Sequence, residues 1–259
     1  MTATFRRLSA GIAVLAMLAA CGPGDPTPRN IAIETAWNTD GVKIADSRGI
    51  LTNNLGYEIE LDTFEMTTFT FELVPCEPPK AEHRVPNVPA RTSWSLIGAA
   101  WAGHVSEHPP TRTNVPRVEA PLRTQAAPFD HIAPPDVPYC SLHFLIARLP
   151  DYGIDEKDKN NIGVALRIHG RYRKDADRPW ADLAIESSVA HGVLIDFHPG
   201  EPTKGIRLKE GDTFTVTRSL GTAFTDVDFA TMEEPEMARQ VLRELVASAK
   251  IAQHPAKAG

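Results

Sequence analysis

Apolar and polar positions alternate with a period of two through most of this chain, and helical spacing governs one segment near its end. Ile31, Ile33 and Thr35 alternate with Ala32, Glu34 and Ala36 up to Trp37-Asn38, which predicts a half-buried strand. Thr52-Asn53-Asn54-Leu55-Gly56 reads as a turn. A long β-prone stretch follows from Tyr57 to Val74. Within it Ile59 and Leu61 share one parity, Phe64 and Met66 take the other, and Phe69, Phe71 and Leu73 return to the first. A strict two-residue period cannot do that, so bulges or breaks are expected near Asp62-Thr63 and Thr67-Thr68. Ser141 to Ala147 is apolar on both parities and predicts a strand covered on both faces. Ile162, Val164, Leu166 and Ile168 alternate within 161–172, and further strands are expected over 182–186, 192–197 and 213–217.

The helical segment opens at Glu233-Glu234-Pro235 and is expected to run to about Ile251, with the residues after Gln253 frayed. Met237, Val241, Leu245 and Ala249 recur every fourth residue and form one apolar face. Proline in the first turn and acids at the start suit a helix N-terminus. Residues 77–138 differ in texture, with Pro78-Pro79, Pro86, Pro89, Pro109-Pro110, Pro116, Pro121, Pro128, Pro134-Pro135 and Pro138. Proline cannot donate to a sheet ladder, so central strands are not expected over most of this span. The fold class that follows is all-β, sandwich-like, with a single C-terminal α-helix and a long Pro-rich loop insertion.

The first twenty-one residues set the compartment. Arg6 and Arg7 precede an uncharged apolar run, Leu8 to Ala20, which is too short for a spanning helix of about 20 apolar residues. It ends in Leu18-Ala19-Ala20-Cys21, which resembles the bacterial lipobox. That resemblance implies a signal peptide over 1–20, lipidation of Cys21 and a membrane anchor of the palmitate type. The Gly-, Pro- and polar-rich residues that follow read as a flexible tether over 21–29, and the strand series after it is expected to form one domain over 30–255. Gly22 after the cysteine implies sorting to the outer membrane, facing the periplasm. Removing Arg6 and Arg7 takes the formal charge of the 259-residue chain from −6 to −8. Basic residues form no stripe, so no nucleic-acid partner is expected.

Two cysteines remain, Cys76 and Cys140, and an exported chain with two thiols is expected to pair them. The competing reading takes Cys140 and His143 as a C-x-x-H with a soft metal ligand. The chain has no G-x-S-x-G, H-E-x-x-H or Walker motif. Asp226 and Asp228 form a D-x-D that reads as a solvated turn, and Asp151, Asp155, Glu156 and Asp158 form an acidic loop without calcium-loop spacing. His104 and His108 are four apart, about 13 Å on a strand, and share a metal only on a helical turn. His143 stands alone in an apolar strand, where a hydrogen-bonded core histidine is the ordinary case.

The Thr52-Asn53-Asn54-Leu55-Gly56-Tyr57 segment, Trp101-Ala102-Gly103-His104, the approach to Tyr139-Cys140, and Phe224-Thr225-Asp226-Val227-Asp228-Phe229 before a helix together resemble a family of secreted bacterial lipoproteins, mostly uncharacterised. More remotely, the strand start at 52–57 and the Phe-x-x-Val-Asp ending at 224–228 before a helix are similar to MbnP-type periplasmic copper proteins, β-sandwiches that hold copper with histidines and an oxidised tryptophan. The resemblance implies Trp101, His104 and His143 as metal residues and copper as the cofactor.

Three functions stay open at this point: a metal-handling lipoprotein, an envelope scaffold or glycan- or protein-binding module without metal, and a hydrolytic enzyme. The expectation is a non-enzymatic binding module, anchored to the bilayer through acylated Cys21 and meeting an envelope protein or a small ligand.

Overall fold

In the computed structural model, the structure describes residues 29–76, 109–152, 155–201 and 204–256. Two sheets face each other across one apolar core, with one helix against them. The smaller sheet has four strands in the order β12-β11-β1-β6: β1 is Ile31–Asn38, β6 Ala126–Ile132, β11 Thr213–Ser219 and β12 Lys250–His254. β1 pairs in parallel with β11 and antiparallel with β6. The larger sheet, of eight strands, is organised by β4, Glu58–Pro75. Its other members are β2 Lys43–Ala45, β3 Arg48–Thr52, β5 Arg117–Glu119, β7 Tyr139–Ile146, β8 Leu166–Arg173, β9 Ala181–Ser187 and β10 His191–Asp196. Glu58 to Leu61 pair with both β3 and β8, while Met66 pairs with β5 and β8 and Thr68 with β5 and β7. Hence β8 and β7 follow one another along one edge of β4, and β3 and β5 along the other.

The parity changes in β4 have a physical cause. The ladder shifts between Leu61 and Thr63 against β8, and between Thr68 and Thr70 against β7. The first shift moves burial from Ile59 and Leu61 to Phe64 and Met66, and the second moves it to Phe71 and Leu73. Phe69 differs from expectation: it is the extra residue of the second bulge and stays half-buried. At the first shift β8 comes so close that a Cβ on Gly170 would lie 2.0 Å from the Glu60 carbonyl oxygen, so the position requires glycine.

The core joins the sheets through aromatic contacts. Phe71 of β4 meets Phe129 of β6 with centroids 4.9 Å apart, and Phe64 meets Trp37 of β1 at 5.9 Å. In β7 only one face is fully buried, through Leu142, Phe144 and Ile146. His143 and Leu145, on the other face, are half-exposed, which corrects the expectation of a strand covered on both sides.

The helix α1, Glu234–Ala247, lies beside β9 and β10, and the Glu234 carboxylate accepts from the Glu186 backbone N–H of β9. It stops short of Ile251. The Ser248 hydroxyl donates to the Leu245 carbonyl and accepts from the Ser219 backbone N–H, turning the chain onto β11. Residues 250–254 then pair with Thr213 to Thr217 as β12 instead of continuing the helix. The Pro-rich span is likewise more ordered than expected from Pro109 onward. It supplies β5 and the edge strand β6, where Pro128 stands beside the β1–β6 register shift and its missing N–H is tolerated.

The turn 52–57 and the segment 224–229 are locked together. Asn53 Nδ2 donates to the carbonyls of Phe224 and Val227 at 3.3 and 2.8 Å, and Tyr57 Oη donates to Asp228 Oδ1 at 2.6 Å. Asp226 has a positive φ of 59°, and its backbone N–H donates to Asn54 Oδ1. The D-x-D is therefore more than a solvated turn. Asp228 also accepts from the Ala230 N–H and the Thr231 hydroxyl, and these bonds, led by that from Tyr57, hold its carboxyl below the usual range.

Candidate functional site

The residues chosen from sequence do not converge within the described structure. Cys21, Trp101 and His104 lie outside the described residues. Cys76 and Cys140 are bonded, with Cα atoms 4.7 Å apart, so Cys140 is not free to serve a C-x-x-H metal site. His143 sits on the outward face of β7, between Glu72 of β4 and Leu194 of β10 in register. A Cβ on neighbouring Gly192 would come within 3.2 Å of its Nε2. Among the described residues, no three histidine, cysteine or acidic side chains gather in a way that could hold a metal ion.

A different constellation lies between the sheets. Along β11 the inward positions are Phe214, Val216 and Arg218, so the strand's own alternation drives an arginine into the core. Arg218 is 0 % exposed. Its guanidinium meets the Glu119 carboxylate of β5 side-on: Nη1 donates to Oε1 at 2.7 Å and Nη2 donates to Oε2. Nη1 also reaches the Thr68 hydroxyl of β4 at 3.1 Å, and that hydroxyl donates to Glu119. The Trp37 indole N–H donates to Glu119 Oε2 at 3.1 Å. Trp37 is the register partner of Arg218 on β1, and the guanidinium carbon lies 4.5 Å from the Trp37 ring and 5.4 Å from that of Phe144. Arg218 Nε is buried without a hydrogen-bond partner. Burial by itself would raise the Glu119 pKa. The Arg218 charge and the bonds from Arg218, Thr68 and Trp37 outweigh it and hold Glu119 below the ordinary carboxylate range. One arginine, one carboxylate and one indole thus tie the two sheets together.

This network forms part of the wall of a cleft. Trp37 and Glu119 line it, together with β6, the strand-turn 115–124 and the 3₁₀ helix Glu156–Asn161. The cleft has a volume of about 560 Å³, within the range of about 300–1,000 Å³ usual for small-ligand sites. Its lining includes Arg117, Arg123 and Lys157 on one side of the charge balance and Glu65, Asp155 and Asp158 on the other. Lys157 is paired with Asp155 at 3.6 Å, and Glu65 approaches Arg167 at 3.8 Å. Burial pushes the Asp158 carboxyl up against the pull of Lys157, and Asp155 and Glu65 add to the rise. Among the described residues, the lining contains no histidine, serine or cysteine. Its side chains are suited to holding polar and charged groups in fixed places.

The alternation Phe214, Val216, Arg218 and the matching inward run Ile31, Ile33, Thr35, Trp37 signal this core pair in the sequence. The partner Glu119 has no such signal, because it lies in the Pro-rich span 99 residues before Arg218. A second cavity, of about 360 Å³, lies between Arg29, Arg112 and His131. No family model, curated protein or solved structure matches the chain.

Proposed function

We propose that this protein is an exported lipoprotein of the bacterial envelope, held at the outer membrane by acylated Cys21 and the 21–29 tether. Its β-sandwich acts as a binding module for a small polar ligand in the cleft beside Trp37 and Glu119. The compartment rests on the lipobox-like tetrad and agrees with the Cys76–Cys140 bond, which an oxidising environment favours. One observation carries the binding reading: a cleft of about 560 Å³ whose wall is held by a network joining both sheets. A wall built on strands rather than loops keeps ligand contacts in place without a folding cost at binding.

Equilibrium dialysis of the disulfide-intact protein against a small-molecule extract of the envelope, read by mass spectrometry, tests this. A retained compound that is lost in Ala127→Trp, which fills the cleft, is the expected result. Equal retention by a folded Ala127→Trp variant, or no retained compound, would refute it. Copper belongs in the same series as a separate probe. The metal reading rests on Trp101, His104 and His143, and requires that His104→Ala and His143→Ala each weaken copper binding.

A further inference from the structure

The distribution of charge in the cleft narrows the ligand class, granting the proposal that the cleft is the ligand site. Arg117 lies on β5 and Arg123 on the turn after it, both exposed at the cleft. Among the described residues neither forms an ion pair. Asp158, on the 3₁₀ helix, also forms none, and the charges acting on it are Lys157, Asp155 and Glu65. Neither arginine pairs with it, and they stand on different elements of the lining, β5 and its turn for the arginines and the 3₁₀ helix for Asp158. Glu119 is in the same lining, but its charge is already met by Arg218. The cleft is therefore not simply anion-selective or cation-selective. Its lining carries two cations without ion pairs on β5 and its turn, a carboxylate without one on the 3₁₀ helix, and a Glu119 already neutralised by Arg218.

A singly charged ligand would satisfy one of these places and leave the other to water. A ligand carrying both charges satisfies the two together, and each arginine fork can take a carboxylate through paired hydrogen bonds. The volume sets the scale at a compact molecule rather than a long chain. We propose that the cleft binds a small zwitterion, an amino acid or a short peptide with free termini, its carboxylate toward Arg117 and Arg123 and its ammonium toward Glu65 and Asp158. An ammonium seated there would draw the Asp158 carboxyl back down, reversing the effect of burial.

The test uses the mature chain in detergent micelles with ¹⁵N-labelled tryptophan. The reporter is the Trp37 indole N–H, which donates to Glu119 in the cleft wall. The probes are free amino acids, di- to tetrapeptides with free termini, the same peptides N-acetylated or C-amidated, and a set of neutral and singly charged small molecules. The expected result is a saturable shift with at least one free-termini probe, weakened about tenfold or more by capping either end. Free amino acids and peptides separate within the panel, which identifies the natural length. In Arg117→Gln/Arg123→Gln the C-amide should bind as well as the free acid, and in Asp158→Asn the N-acetyl form should bind as well as the free amine. Capped probes binding as tightly as free ones would overturn the proposal. Saturation by a neutral or singly charged compound alone would overturn it while leaving the cleft as a binding site. A Trp37 signal unmoved by every probe would overturn both.

Discussion

Replacing Glu119 with leucine tests what joins the two sheets. The substitution removes both carboxylate oxygens from Arg218, the acceptor of the Trp37 indole and the acceptor of the Thr68 hydroxyl. Arg218 is 0 % exposed and cannot reach water, so its charge stays buried with only one hydroxyl and two aromatic faces beside it. Breaking a buried pair in this way is expected to destabilise by about 3–5 kcal/mol. That is a large part of the roughly 5–15 kcal/mol by which domains are stable. The double variant Arg218→Met/Glu119→Leu removes the stranded charge and replaces it with apolar volume, so it should be more stable than Glu119→Leu alone. The coupling energy should reach about 2 kcal/mol or more, a value typical of residues in one network. Urea unfolding with the disulfide intact, followed by tryptophan fluorescence and far-ultraviolet circular dichroism, reads each variant. If Glu119→Leu does not fold while the double variant does, the sign is the same. A loss below about 1 kcal/mol in Glu119→Leu, or a double variant no better than the sum of the singles, would refute the reasoning. The pair also predicts a pH dependence. Glu119 has a folded pKa below its ordinary 4.5, so its contribution is complete above that value and is lost as pH falls through the lower folded value. Glu119→Gln should flatten that acid limb.

Removing the Cys76–Cys140 bond by paired alanine substitution opens a loop with a sequence separation of 64, and should lower stability by about 4 kcal/mol in the chain-entropy account, measured by denaturant titration. Unchanged stability would contradict it. Gly170→Ala places a carbon against the Glu60 carbonyl and should destabilise by about 1–3 kcal/mol, with faster amide exchange along the β4–β8 ladder than along β4–β7. Asn53→Ala removes the donor to the Phe224 and Val227 carbonyls, both buried, and should lower stability by about 1–3 kcal/mol. A neutral result there would mean that packing and the Tyr57–Asp228 and Asn54–Asp226 hydrogen bonds hold the two segments without Asn53.

The sandwich was legible where a strand carries its own alternation. β1 and β11 announce their inward faces residue by residue, and even the bulges of β4 show as parity changes among Ile59, Phe64 and Phe71. The end of α1 with β12, and the strands β5 and β6, were misread for local reasons. The apolar spacing of α1 continues into Ala249, but the Ser248 contacts and the open edge of β11 end the helix first, and neither is visible in periodicity. Proline density hid β5 and β6, since one proline at an edge strand is compatible with pairing where a central one is not. The cleft was not legible at all. Trp37, Glu65, Glu119 and Asp158 come from segments spread over more than a hundred residues, and only the pairing of β4 with β5, that of β1 with β11, and the packing of the two sheets bring them together. Histidine spacing drew attention elsewhere because it is the pattern that local sequence displays.

The claim on which the rest depends is that the protein works outside the cytoplasm, anchored by lipid. Its most direct test is the intact mass of the protein extracted with detergent from the membrane fraction of a bacterial host, taken before and after reduction. The account predicts a chain beginning at Cys21, carrying acyl groups on that residue, and gaining mass on reduction as the Cys76–Cys140 bond opens to paired thiols. A chain that retains residues 1–20, begins at another residue, or carries no acyl group would contradict it.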